Sequence, residues 1–183
     1  ILCVINPGNP TGNCLSETDI LCVFNVAKRH NLVVLFDEVY QANWYQTATK
    51  FVSARHVKHK HLDVFRSVQL FSFHSCSKGL LGECGKRGGF FHYDGDSQDI
   101  NEQLYKLASI SLCPNIQGQL LVSLMVSPPK VGDESYKEYH KETTDIFESL
   151  KRRASKLCAA FNAMQGVTCQ PAMVHHIVYN IHI

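Results

Sequence analysis

No apolar stretch in this sequence approaches the ~20 residues of a bilayer-crossing helix. Neither sign of charge prevails: 18 Lys and Arg stand against 16 Asp and Glu, a formal net charge of +2. Nothing in that balance points to nucleic acid or to an acidic membrane surface as a partner. The eight cysteines contain no CxxC pair, so the common zinc and dithiol spacings are missing. Most of these cysteines lie in apolar runs, and the expectation is reduced, buried thiols in a cytosol-like compartment. Internal repeats and low-complexity segments are also missing, and no signal peptide is visible in these residues. What remains is ordinary globular composition, 45% hydrophobic and 19% charged over 183 residues. That is enough for one domain and part of another. The chain opens at Ile1, without methionine and inside an apparent strand, and is read as a segment of a longer chain.

The informative stretch is Ser72 to Gly89, SFHSCSKGLLGECGKRGG. An apolar strand run, Val68 to Phe73, leads into Ser75, Ser77 and Lys78, and Arg87 follows nine residues after the lysine. Open α/β sheets bind ligands at the carboxyl ends of their strands, where this lysine falls. Two hydroxyls and a planar guanidinium suit a phosphate dianion. Lysine, hydroxyls and arginine around a phosphate point to pyridoxal phosphate, held on Lys78 as a Schiff base.

The rest of the chain alternates strands and helices. Ile1 to Ile5 reads as a buried parallel strand and Asn6 to Gly12 as a turn. Ser16 and Asp19 form a capping-box pair, with Leu15 and Ile20 as its staple. Ile20, Val23, Phe24 and Ala27 then recur at helical spacing up to His30-Asn31. Leu32 to Phe36 is the next strand and delivers Asp37 to its end, completing a βαβ unit. Arg55 to His61, RHVKHKH, reads as a solvated basic loop. His56, His59 and His61 lack the companion ligands of a metal site. Gly88 to Tyr93 reads as another buried strand. Ser97 to Ser111 reads as a helix with Ile100, Leu104, Leu107 and Ala108 inward. Ile116 to Val126 is a further apolar helix. A long helix from about Glu134 to Met164, striped by Phe147, Leu150, Leu157 and Phe161, bridges two domains.

Three motifs stand in order: Asn6-Pro7-Gly8-Asn9-Pro10-Thr11-Gly12, Asp37-Glu38-Val39-Tyr40, and Ser75-Cys76-Ser77-Lys78-Gly79 with Arg87. Together they resemble the fold-type I, class I aminotransferases. Lys78-Gly79, Gly82-Glu83-Cys84-Gly85, Arg87-Gly88-Gly89, Leu112-Cys113-Pro114 and Val126-Ser127-Pro128-Pro129 are closest in wording to the alanine aminotransferase subgroup. The likeness runs from Ile1 to about Gln170.

The resemblance implies a three-layer α/β/α fold on a mostly parallel sheet. Residues 1–133 would be the central part of the cofactor-binding large domain. Residues 134–165 would be the inter-domain helix, and 166–183 the start of a small C-terminal domain. It implies pyridoxal phosphate as cofactor and transamination between amino acids and 2-oxo acids, alanine with 2-oxoglutarate. It also implies a homodimer of the full-length protein, in the cytoplasm or mitochondrion. Lys78 is then the catalytic residue. A carboxylate beside the ring nitrogen raises the pyridinium pKa by charge pairing, and Asp37 is the candidate. Tyr40 and Asn9 would reach the ring hydroxyl oxygen, while Ser75, Ser77 and Arg87 would bind phosphate. Gly82, Gly85, Gly88 and Gly89 are read as steric, and His74 as a packed residue. Acid-selective members place an arginine immediately before the proline near position 114. Here Cys113 stands there and cannot pair bidentately with a distal carboxylate. The ring-stacking residue, the phosphate loop and the arginine for the substrate α-carboxylate are not among these residues. The isolated segment is therefore expected to be inactive. Pro171 to Ile183 departs from the resembled pattern. Two other readings stay open: a different fold-type I aminotransferase, and an aminotransferase-like regulatory domain that binds pyridoxal phosphate as a ligand. An inactive remnant is a third.

Overall fold

The structure is a computed structural model that describes residues 1–45 and 50–169. Four strands form one sheet in the order β1 (Leu2–Ile5), β2 (Val34–Asp37), β3 (Leu70–Ser75), β4 (Gly89–Asp94). The first two pairings are parallel, with Ile5 opposite Asp37 and Asp37 opposite Phe73. β4 returns antiparallel to β3, so His74 faces Phe90 and Ser72 faces His92. The sheet is thus mostly parallel, and the carboxyl ends of β1, β2 and β3 lie side by side.

The βαβ unit forms where the sequence places it. Helix α1 spans Glu17–Arg29. Ser16 Oγ accepts from the Asp19 amide at 3.2 Å, and Asp19 Oδ2 accepts from the Ser16 amide at 2.9 Å. Ile20, Phe24 and Ala27 present one stripe to the sheet and are buried with Val34, Phe36 and Leu70. Burying each large side chain contributes roughly 1.5–3 kcal/mol. His30 caps the helix, and Asn31 takes the left-handed conformation at φ 50°.

The basic stretch Arg55 to His61 is a correction. It forms α2 (Ala54–Lys60), capped by Ser53, whose hydroxyl accepts from the His56 amide at 3.1 Å. Ala54 and Val57 enter the core beside α3 (Leu62–Phe65) and Phe65. Lys58 is only 1% exposed, and its Nζ donates to Asp94 O at 2.7 Å and to Asp94 Oδ1 at 2.9 Å. A buried ammonium needs such a partner. Asp94, thirty-six residues away, is invisible to a local reading. No cluster of three or more metal-ligating side chains occurs among the described residues.

Burial also differs from expectation at the margins. Among the described residues β1 and β4 stand at the edges of the sheet, and Ile5 and Phe91 are each 48% exposed, as a partial sheet leaves strands uncovered. Helix α4 (Gln98–Ile110) begins at its Ser97 cap as read, but Leu107 is 65% exposed and Ala108 is exposed too. Helix α5 (Ile116–Val126) buries only Gly118. Helix α6 (Tyr136–Asn162) has no fully buried residue, although Phe147 packs on Tyr45 with ring centroids 5.1 Å apart. No helix among the described residues is long and apolar enough to cross a membrane. The departing segment Pro171 to Ile183 lies outside the described residues.

Candidate functional site

Asn9, Asp37, Tyr40, Ser75, Ser77 and Lys78 sit at or shortly after the carboxyl end of a strand, because a short apolar strand buries its run and releases the next polar residues there. From β1 the chain turns through Asn6 to Asn9. Asn6 is buried, its amide donating to Asp37 O at 2.9 Å and its Oδ1 accepting from the Leu15 amide at 2.8 Å. That pairing ties the first turn to the end of β2. Asn9 Nδ2 then donates to Tyr40 Oη at 3.2 Å across thirty-one residues. The two residues assigned to one ring oxygen are therefore neighbours.

Asp37 ends β2 half-buried, its Oδ1 accepting from the Val39 amide at 3.2 Å. No ion pair involves it among the described residues. It is a carboxylate open to a cationic partner.

The end of β3 carries the remaining groups. Ser75 Oγ donates to Gly88 O at 3.1 Å and accepts from the Ser77 amide at 3.0 Å. The Cys76 amide also bonds Gly88 O, at 3.1 Å. The loop from Lys78 to Arg87 thus closes on itself, and Arg87 stands one residue from the serines' partner. Arg87 is exposed in the left-handed region at φ 53°, and its Nη1 donates to Cys84 O at 2.9 Å. A Cβ built on Gly88 would lie 2.6 Å from Gly118 O and 2.9 Å from Cys76 Sγ, so only glycine lets α5 approach this closely. Gly82 and Gly85 meet nothing within 4 Å, so the close approach is made at Gly88 and Gly89. Gly82, at φ +62°, serves the turn instead.

Lys78 is exposed into a cavity of about 330 Å³ whose walls include Ala42, His74, Leu121, Met125 and Tyr139. A Cβ on Gly79 would stand 3.7 Å from Ala42 Cβ and 3.8 Å from Val39 O. The lysine loop therefore rests on the segment that follows Asp37. His74 joins the two: it lines the Lys78 cavity, and its imidazole feels the Asp37 charge. Burial lowers the His74 pKa, with Asp37 opposing. Asn9, Asp37 and Tyr40 do not line the Lys78 cavity itself.

Two polar groups beside the site are not assigned by the sequence reading. Glu38 is 5% exposed and its Oε1 accepts from the Ala54 amide at 2.7 Å. Burial pushes its pKa from an ordinary 4.5 up to about 7; the Ala54 bond opposes this and the Asp37 charge adds to it. Glu38, Ser72, His74, Arg55 and His92 line a second cavity of about 190 Å³. Buried within it, Ser72 Oγ and His74 Nδ1 have no hydrogen-bond partner among the described residues. The pleat offers the available signal. Successive strand residues face opposite ways, so of the adjacent acids Asp37 and Glu38 one must turn inward.

The donor set fits pyridoxal phosphate. An unpaired carboxylate, a donor pair at Asn9 and Tyr40, two hydroxyls with a guanidinium, and a primary amine lie at one end of the sheet. The family model for aminotransferase class I and II matches residues 1–182. Among curated proteins, the chain is 48% identical over 172 residues to a probable mitochondrial alanine aminotransferase of Dictyostelium discoideum. It is 50% identical over 171 residues to mitochondrial alanine aminotransferase 1 of Arabidopsis thaliana. Each alignment covers 93% of this chain and 32% of the relative, so the chain spans about a third of their length. Among solved structures, an alanine aminotransferase from Pyrococcus furiosus superposes with a TM-score of 0.76 over 94% of this chain and 40% of that one. At 22% identity, that likeness speaks for the fold.

Proposed function

Because the chain belongs to the class I and II aminotransferases, we propose that the protein containing it transfers an amino group between alanine and 2-oxoglutarate, using pyridoxal phosphate. The observation that carries this reading is the meeting of three distant strand ends. Asn9 bonds Tyr40 at 3.2 Å, and the Lys78–Gly79 loop rests on the segment just after Asp37.

Bound there, the cofactor supplies an electron-accepting ring for carbanion charge at the substrate α-carbon. Lys78 Nζ would hold the cofactor, and as a free amine it would take the proton from the substrate α-carbon. Asp37 holds the ring nitrogen in its protonated form by charge pairing. Asn9 and Tyr40 orient the ring through its hydroxyl oxygen. Ser75, Ser77 and Arg87 bind the phosphate, with Arg87 exchanging the Cys84 carbonyl for a charged acceptor. Cys113 in place of an arginine disfavours an aspartate-type substrate. Residues 1–133 would form the central part of a cofactor-binding large domain, 134–165 the bridging helix, and 166–183 the start of a small second domain. The 27-residue length of α6 and its lack of fully buried residues support that division. A homodimer is expected of the full-length protein.

The test uses full-length protein with cofactor. Borohydride reduction should place the label on the tryptic peptide Ser67 to Lys86, left uncleaved at Lys78. Label on another lysine overturns the assignment. Lys78→Ala should abolish pyruvate formation from alanine, and Asp37→Ala should lose most of the rate while keeping cofactor. Faster turnover with glyoxylate than with 2-oxoglutarate as acceptor would move the reading to a different aminotransferase.

A further inference from the structure

Two cysteines with no part in transamination meet at the C-terminal end of α6. Cys158 lies within the helix and Cys169 follows eleven residues later, beyond the turn that contains Gly166. Asn162, one helical turn past Cys158, clamps the second cysteine from both sides. Its Oδ1 accepts from the Cys169 amide at 2.9 Å and its Nδ2 donates to Cys169 O at 3.0 Å. The same Nδ2 lies 3.4 Å from Cys158 Sγ. Cys158 Sγ in turn donates to Cys169 O at 3.5 Å. Cys158 is half-buried, whereas Cys169 is 6% exposed. One thiol can be reached from solvent, and the other is buried in a residue whose backbone N–H and C=O are both bonded by Asn162.

We propose that Cys158 and Cys169 form a reversible redox site, a disulfide made by exchange with a low-molecular-weight disulfide such as oxidised glutathione, fastening the end of α6 to the chain beyond its turn. Cys158 gives up its proton and its thiolate attacks one glutathione sulfur. That forms a mixed disulfide and expels one glutathione thiolate, which takes up the proton. Cys169 then loses its proton and attacks the Cys158 sulfur, expelling the second glutathione thiolate, which is protonated in turn. Two protein thiols are oxidised, one glutathione disulfide is reduced to two thiols, and two electrons pass. Burial first, and then the neighbouring Cys158 thiol, raise the Cys169 pKa. The half-buried Cys158, the more accessible of the two, is therefore the attacking group and the buried Cys169 the resolving group.

The experiment equilibrates full-length protein with graded ratios of reduced and oxidised glutathione, quenches with acid, alkylates and maps peptides. No lysine or arginine separates the two cysteines, so trypsin leaves them on one peptide, while chymotrypsin cuts between them after Phe161. The expected result is a chymotryptic pair joined through Cys158 and Cys169. At a ratio where the exposed Cys84 and Cys113 carry little glutathione, that pair should be at least tenfold more oxidised than either. Cys169→Ser should trap glutathione on Cys158, and Cys158→Ser should leave Cys169 unmodified. Separate glutathione adducts on the two cysteines of the wild type, Cys158 bridged to a different cysteine, or a link that forms only after denaturation would each overturn the proposal. If Cys158→Ser fails to fold, the Cys169→Ser variant and the wild-type map decide the matter alone.

Discussion

Replacing Glu38 by glutamine tests whether a carboxyl group is buried beside the site at a cost. Glu38 is 5% exposed, and its Oε1 accepts a hydrogen bond from the Ala54 amide at 2.7 Å. Burial takes its pKa from 4.5 to about 7, with Asp37 adding to the rise. A raised carboxyl pKa means that the folded chain holds a proton the unfolded chain has lost. Between pH 4.5 and 7 stability therefore falls as pH rises, and above 7 the penalty is constant. One pKa unit corresponds to about 1.4 kcal/mol, so the full cost is about 3 kcal/mol, reached near pH 8, against about 1 kcal/mol at pH 5. Glutamine keeps an acceptor for Ala54 and never ionises. Glu38→Gln should therefore match or slightly exceed the wild type at pH 5 and exceed it by about 3 kcal/mol at pH 8. Thermal unfolding of both full-length proteins from pH 5 to 8 reads this directly. For a domain of 150–250 residues each kcal/mol moves Tm by roughly 2–4 °C, so a gap of several degrees should open with pH. Two curves that stay parallel across this range would show that Glu38 does not titrate as the structure requires.

Lys58→Met should cost about 3 kcal/mol in denaturant unfolding, because it strands Asp94 in a largely buried place. Burial alone would raise the Asp94 pKa, but Lys58 and His59 outweigh it and hold the carboxyl below its ordinary 3.8. The Lys58→Met deficit should be fully present above pH 3.8 and shrink as pH falls through the lower folded value. Gly88→Ala should cost about 1–3 kcal/mol by forcing α5 away, with weaker cofactor binding in a spectral titration. Tyr40→Phe removes the partner of Asn9 and should weaken cofactor binding about tenfold, an effect of about 1.4 kcal/mol.

Much of the fold was legible because its signals are local. The Ser16–Asp19 capping box, the stripe Ile20-Phe24-Ala27 and the stop at His30-Asn31 each lie within a turn or two of chain. The bounds of α5 follow from Pro114 before it and Ser127-Pro128-Pro129 after it. The site motifs were legible for a similar reason, since each polar group comes directly after an apolar strand run. The helix over Arg55 to His61 was not legible. Its propensity and charge read as loop, and only Asp94 on a distant strand makes burial of Lys58 tolerable.

The sequence by itself determined the four strands, the helices α1, α4, α5 and α6, the residue types at each strand end, and the family to which they belong. Short-range hydrogen bonding and hydrophobic periodicity are written along the chain. The tertiary structure alone decided that β4 returns antiparallel to β3 and that Lys58 is buried against Asp94. It alone set Asn9 against Tyr40, buried Glu38, and brought Cys158 to Cys169. Those outcomes depend on distances between residues far apart in the chain, which the packing of sheet, helices and turns creates.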